Sequence, residues 1–172
     1  MFKKKMVVTV LGLALSVGAA QSAFAASTDV MSPPSNKQEK HSEWKAQTAS
    51  LKSELESLRT EQKALSSQVK ALHAANKSAR KALSKEEAAV LKETLKGLGQ
   101  QIQSQRDSIQ SLRTQKQALW VQVKAAKQAG TTAAGVTNLE QIISLKEQII
   151  QAKQQILVLN QSLQTALNAT NI

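Results

Sequence analysis

From Trp44 onward, apolar side chains recur at alternating steps of four and three residues. That spacing constrains the fold more than any other feature of the 172-residue chain. Trp44, Leu51, Leu58, Leu65, Leu72 and Ala79 share one heptad position, and Thr48, Leu55, Gln62, Val69, Asn76 and Leu83 share the other. A second series places Ala88, Leu95, Ile102, Ile109, Lys116 and Val123 at a, with Leu91, Leu98, Gln105, Leu112, Leu119 and Ala126 at d. Neither run contains proline. Each is a helix with an apolar seam that must be covered by another helix, so the pattern predicts an all-α coiled-coil protein.

The two series do not join as one rod. Leu83 and Ala88 both sit at a but are five residues apart, where a stutter or stammer would insert four or three. Ser84-Lys85-Glu86-Glu87 supplies a helix start at that break. Ser84 can accept from the amide of Glu87, while the Glu87 carboxylate reaches back to the amide of Ser84. The sequence thus predicts a first helix over about 42–81 and a second over 85–129, folded back as an antiparallel hairpin. Heptad phase then favours a register in which paired numbers sum to 167. That register sets Gln62 opposite Gln105 and avoids burying either amide against a leucine or valine, at about 1 to 3 kcal/mol each.

A third helix follows a linker. Gly130 to Thr137 reads GTTAAGVT, and Thr137-Asn138-Leu139-Glu140 repeats the capping pattern, which predicts a third helix over about 138–168. Its main stripe runs Ile142, Leu145, Ile149, Ala152, Ile156, Leu159, Leu163 and Ala166, widened by Leu139, Ile143, Ile150 and Leu157. So broad a stripe suits a helix that docks against two others or also meets another subunit, giving a homo-oligomer. The expected fold is an antiparallel hairpin with a shorter third helix, forming a three-helix bundle. At about 45 Å against about 60 Å, the third helix would leave residues 70–96 as a two-helix tip. Gly97 and Gly99 would sit where that cover ends, as a hinge or as a weak but continuous helix. Trp44 and Trp120 fall at the opposite end, as packing anchors of the bundle base.

Residues 1–25 carry the pattern of a secretory signal: Lys3, Lys4 and Lys5, an apolar stretch from Met6 to Ala20, and Ala23-Phe24-Ala25 before the cleavage point. Residues 26–41 are polar, hold both prolines, and read as a flexible leader before a bundle over 42–172. Export makes the chain extracytoplasmic, whether secreted, wall-bound or periplasmic. It also narrows the meaning of the charge. The full chain has 23 Lys and Arg against 12 Asp and Glu, or +11; without the three leader lysines, 20 against 12 leaves +8. All of this falls in residues 70–127, where 12 cations face 4 acids. Lys70, Lys77, Arg80, Lys81, Lys85, Lys92 and Lys96 crowd the expected tip, against Glu86, Glu87 and Glu93. One-signed charge of this kind suits an anionic partner. Nucleic acid fits poorly, because the chain is exported and no aromatic side chain lies near the tip to stack on bases.

No catalytic constellation can be assembled. The chain has no cysteine, its two histidines are His41 and His73, and no metal-binding, phosphate-cradling or nucleophile-elbow motif is present. The sequence therefore argues against an enzyme and calls for no cofactor and no metal. Leu83-Ser84-Lys85-Glu86-Glu87 and Val136-Thr137-Asn138-Leu139-Glu140 resemble the Leu-Thr-x-x-Gln repeats of the Spy/CpxP group of small, exported, all-helical envelope-stress proteins. In gross form the chain is also similar to the Skp-type holdases. Both resemblances imply a chaperone that holds unfolded chains without ATP. The expectation is an exported, chaperone-like or anionic-surface-binding helical protein, whose partners are protein clients, anionic envelope polymers or a peripheral membrane surface. The alternative is a structural or adaptor coiled coil of the envelope that regulates a wall hydrolase.

Overall fold

The computed structural model describes residues 37–169, all of them in helices or the turns that join them. The signal-like segment at 1–25 and most of the polar leader lie outside the described residues. Four helices follow in order: α1 (Lys37–Gln47), α2 (Ala49–Ala82), α3 (Lys85–Ala129) and α4 (Thr132–Asn168). The last five residues expected in the leader, 37–41, therefore already belong to α1.

The expected first helix is interrupted at Thr48. Its side chain is fully buried and its Oγ1 donates to the Trp44 carbonyl at 2.7 Å, while its backbone turns to φ −99°, ψ 1°. A threonine hydroxyl bonding back to the carbonyl four residues earlier competes with the helical ladder and bends it. The bend separates α1 from α2 and lays Trp44, 5% exposed, against Leu139 and Ile142 at the base of the bundle, where Trp120 also packs.

Between α2 and α3 the chain turns as Ser84 predicts. Glu87 N–H donates to Ser84 Oγ at 3.2 Å, and Ser84 N–H donates to Glu87 Oε2 at 2.7 Å. These bonds to Ser84, backbone first and then side chain, hold the Glu87 carboxyl below its ordinary value of 4.5.

The second turn is shorter than the glycines suggest. Gly130 takes φ 74°, the left-handed conformation that glycine adopts without cost, and Thr131 N–H closes onto the Ala126 carbonyl at 3.0 Å. α4 then starts at Thr132, not 138. Thr137 is no cap: it lies inside α4, and its hydroxyl donates to Ala133 O. Gly135 serves contact rather than turning. It is buried in α4 against the Trp44 ring, and a Cβ there would collide with that ring.

Because α4 is 37 residues long, it covers far more of the hairpin than expected. Leu163 and Leu167 cluster with Leu91 and pack Ala79, Leu83 and Leu95 near the α2–α3 turn. The two-helix tip over residues 70–96 is accordingly not formed. Gly97 and Gly99 lie within an unbroken α3.

α4 is the centre of the bundle. It makes the close backbone approaches to both α2 and α3, which scarcely approach each other. The breadth of its apolar stripe is explained by these two seams within one chain. The seam with α2 is parallel, and its hydrogen bonds repeat at constant offsets. Gln62 Nε2 donates to the Lys146 carbonyl at 3.1 Å and Asn76 Nδ2 to the Asn160 carbonyl at 2.7 Å, each across 84 residues. Lys146 Nζ reaches the Leu55 carbonyl and Lys153 Nζ the Gln62 carbonyl, both at 3.0 Å and across 91 residues. The heptad series of Thr48, Leu55, Gln62, Val69, Asn76 and Leu83 is thus matched, 84 residues on, by Thr132, Leu139, Lys146, Lys153, Asn160 and Leu167. The Gln62–Gln105 layer is replaced by this one. Gln62 turns to α4 because α2 and α3 are not the close pair.

A candidate cationic groove

With α2 and α3 both packed on α4, a hollow remains between them. Its volume is about 390 Å3, and its apolar floor is Val69 of α2, Ile109 of α3 and Ile156 of α4. Ile109 and Ile156 belong to the buried core, so the floor is the core seen from outside. Four cations line it: Lys70, Arg106, Arg113 and Lys153, with no acidic residue among the lining. A second hollow of about 410 Å3 lies one heptad further along the same faces of α2 and α4, and α3 contributes no residue to its lining. There His73, Asn76, Lys77 and Leu163 stand seven residues beyond Ser66, Val69, Lys70 and Ile156, and Arg80 and Lys81 join them.

Among the described residues no acidic side chain pairs with the cations of the groove. Among the described residues the one ion pair is Arg59–Glu56, at 3.8 Å between exposed side chains. Burial pushes Lys153 below its ordinary 10.5, and the neighbouring Arg113 and Lys116 push it further. Lys146 is lowered by burial, then by Lys116 and Arg59, with Glu56 acting in the opposite sense. Lys116 is lowered by burial and by Arg113. Like charges are therefore gathered in mid-bundle, at a cost that the Nζ bonds of Lys146 and Lys153 to α2 carbonyls only partly offset. Lys153 also donates to Ser66 Oγ at 2.6 Å, which ties the wall of the groove to its floor.

The residues singled out from sequence are divided by the fold. All seven, Lys70, Lys77, Arg80, Lys81, Lys85, Lys92 and Lys96, are exposed. Lys70 lines the first hollow, and Lys77, Arg80 and Lys81 line the second. Lys85, Lys92 and Lys96 stand on α3 outside both. Sequence reasoning missed Arg106, Arg113, Lys146 and Lys153. A signal for them was present: Arg106 and Arg113 are one heptad apart, as are Lys146, Lys153 and Asn160 along one edge of the α4 stripe.

Chemically, the groove can desolvate apolar groups on its floor while holding anionic ones at its rim. Among the described residues no cluster of three or more His, Asp or Glu is placed to hold a metal ion, and no helix is long and apolar enough to cross a membrane. No family model matches the chain, and no curated protein or solved structure matches it.

Proposed function

We propose that the chain is an exported, non-enzymatic helical binding protein of chaperone-like action, which holds acidic, partly apolar polypeptide segments outside the cytoplasm. The observation that carries this reading is the groove, with an apolar floor, four cations and no acid in its lining. An isolated apolar hollow binds without regard to charge, and an exposed lysine cluster binds any polyanion weakly. The two together select segments that carry both features. Of the seven cations named from sequence, Lys70 lines the groove, and Lys77, Arg80, Lys81, Lys85, Lys92 and Lys96 extend the positive field beyond it and would steer such partners toward it. The test is suppression of aggregation of a chemically denatured acidic protein at stoichiometric amounts without ATP. Suppression that weakens as salt is raised is expected; no suppression at low salt refutes the role.

A second reading, an envelope adaptor that sits on anionic wall polymers or membrane headgroups, is favoured by Lys85, Lys92 and Lys96, which are exposed away from the groove. It expects salt-sensitive cosedimentation with cell walls that is lost when Lys85, Lys92 and Lys96 are changed to glutamate. Cosedimentation unchanged in that variant removes it.

A further inference from the structure

We infer that the groove between α2 and α3 takes an amphipathic helix with acidic flanks, which lies along Val69, Ile109 and Ile156 and completes a four-helix bundle. This rests on the proposed binding role and specifies the conformation of what is bound.

Three features of the groove point to a helix. The first is its shape. α2 and α3 each pack on α4 and leave the side between them open, which is the position a fourth helix fills in a four-helix bundle. The second is the pitch of the charge. Lys70 and Lys77 lie seven residues apart on α2, and Arg106 and Arg113 seven apart on α3, so both walls repeat every two turns, about 10.5 Å. A partner helix presents its flanking residues at that pitch. An extended chain repeats same-face residues about every 6.7 Å and falls out of step with both walls. The third is sign. No acid lines the first hollow or the second, so the flanks of the occupant must be acidic. That excludes a second copy of this chain, whose corresponding walls are cationic and whose charge from residue 26 onward is 20 minus 12, or +8. From Ser66 to Lys81 the two hollows run about 22 Å along α2, so an occupant of about three heptads covers them.

The probe is a synthetic peptide of about 21 residues, three heptads with leucine at the seam positions and glutamate at the flanking ones. It is compared by calorimetry and circular dichroism, at low salt, with a scrambled peptide of the same composition. The patterned peptide is expected to bind the full chain at least about tenfold more tightly than the scrambled one and to gain helix on binding. The double variant Arg106→Glu/Arg113→Glu should lose that preference, whereas Lys52→Glu/Lys124→Glu, on exposed positions outside the groove, should keep it. If the charge reversal lowers the helical signal of the protein, Arg106→Gln/Arg113→Gln serves in its place. Equal binding of both peptides, or a preference that survives the groove variants, overturns the inference. In that event, continued suppression of aggregation leaves the broader binding role standing, and its loss removes both.

Discussion

Replacing glycine by alanine should have opposite signs at two places in this bundle, because one glycine faces space and the other a tryptophan. At Gly97 a Cβ meets nothing within 4 Å, so Gly97→Ala gains only the better helix propensity of alanine, about 1 kcal/mol. At Gly135 the same gain is opposed by the Trp44 ring, whose outer edge occupies the place the Cβ would take. That ring is rigid, 5% exposed and set among Leu139, Ile142 and Ile143, so it cannot yield by a rotamer change at its tip. Overpacking typically costs about 1 to 3 kcal/mol. The depth of this overlap argues for the upper end, leaving a net loss of about 2 kcal/mol after the propensity gain. Expulsion of the ring sets the ceiling: about 150 to 250 Å2 of aromatic surface at about 25 cal/mol per Å2 is about 4 to 6 kcal/mol. Urea unfolding followed by circular dichroism reads both variants, and the Gly135→Ala midpoint should fall while the Gly97→Ala midpoint rises. In a Trp44→Leu background the penalty at Gly135 should vanish, a coupling that a double-mutant cycle measures. If Gly135→Ala stabilises as Gly97→Ala does, or if the two sites are additive, the close packing of α1 on α4 is refuted.

Lys116, Lys146 and Lys153 all have folded values below the ordinary 10.5, so the unfolded chain binds more protons in the window beneath 10.5 and stability should rise with pH across it. The rise should flatten in Lys146→Met/Lys153→Met; a stability that falls over this window, or the same slope in that variant, contradicts the buried cation cluster. Ser84→Ala should cost about 1 kcal/mol through loss of the cap on α3. The contribution of Glu87, whose value is lowered, is present above its ordinary 4.5 and lost as the pH falls through its folded value, so a thermal melt of Glu87→Gln should no longer show that acid-side component. Asn76 and Asn160 are buried with unpartnered Oδ1 atoms while each Nδ2 donates to a carbonyl, so Asn76→Leu/Asn160→Leu, which removes both the orphaned acceptors and those bonds, should stabilise by no more than about 1 kcal/mol per amide. The chain has no cysteine to interfere with an oxidative crosslink. Asn76→Cys/Asn160→Cys should close readily and Gln62→Cys/Gln105→Cys should not, and the reverse result would restore the antiparallel register.

Local chemistry made several features legible in advance. The turn at Ser84 was readable because the capping box satisfies amides three residues apart, a bond list that needs no distant partner. The base was readable because Trp44 and Trp120 fall at one level once the hairpin is folded. The start of α4 was not readable from the same letters. Thr137-Asn138-Leu139-Glu140 has the capping pattern, yet Gly130 and Thr131 complete the turn in two residues. Ala133 and Ala134 then continue the helix, with Gly135 buried on Trp44. A capping box states that a helix can begin at that point, whereas tertiary burial of the preceding turn decides whether it does.

Heptad periodicity determined that this chain is helical and that its seams must cover one another, and the capping box at Ser84 determined where its longest helix begins, because each of these follows from spacing within a segment. Which seams meet was decided only in three dimensions. Gln62 was free, as a sequence matter, to face Gln105 or Lys146. The parallel match of α2 with α4 won, and with it come two paired hydrogen bonds at an offset of 84 and two more at 91. The same choice moved the site. Charge counting placed the cations at a hairpin tip, but once α4 covers that tip and holds α2 and α3 apart, Lys70, Arg106, Arg113 and Lys153 converge around an apolar floor in mid-bundle. Convergence of that kind depends on the packing of three helices against one another, which no single heptad run encodes.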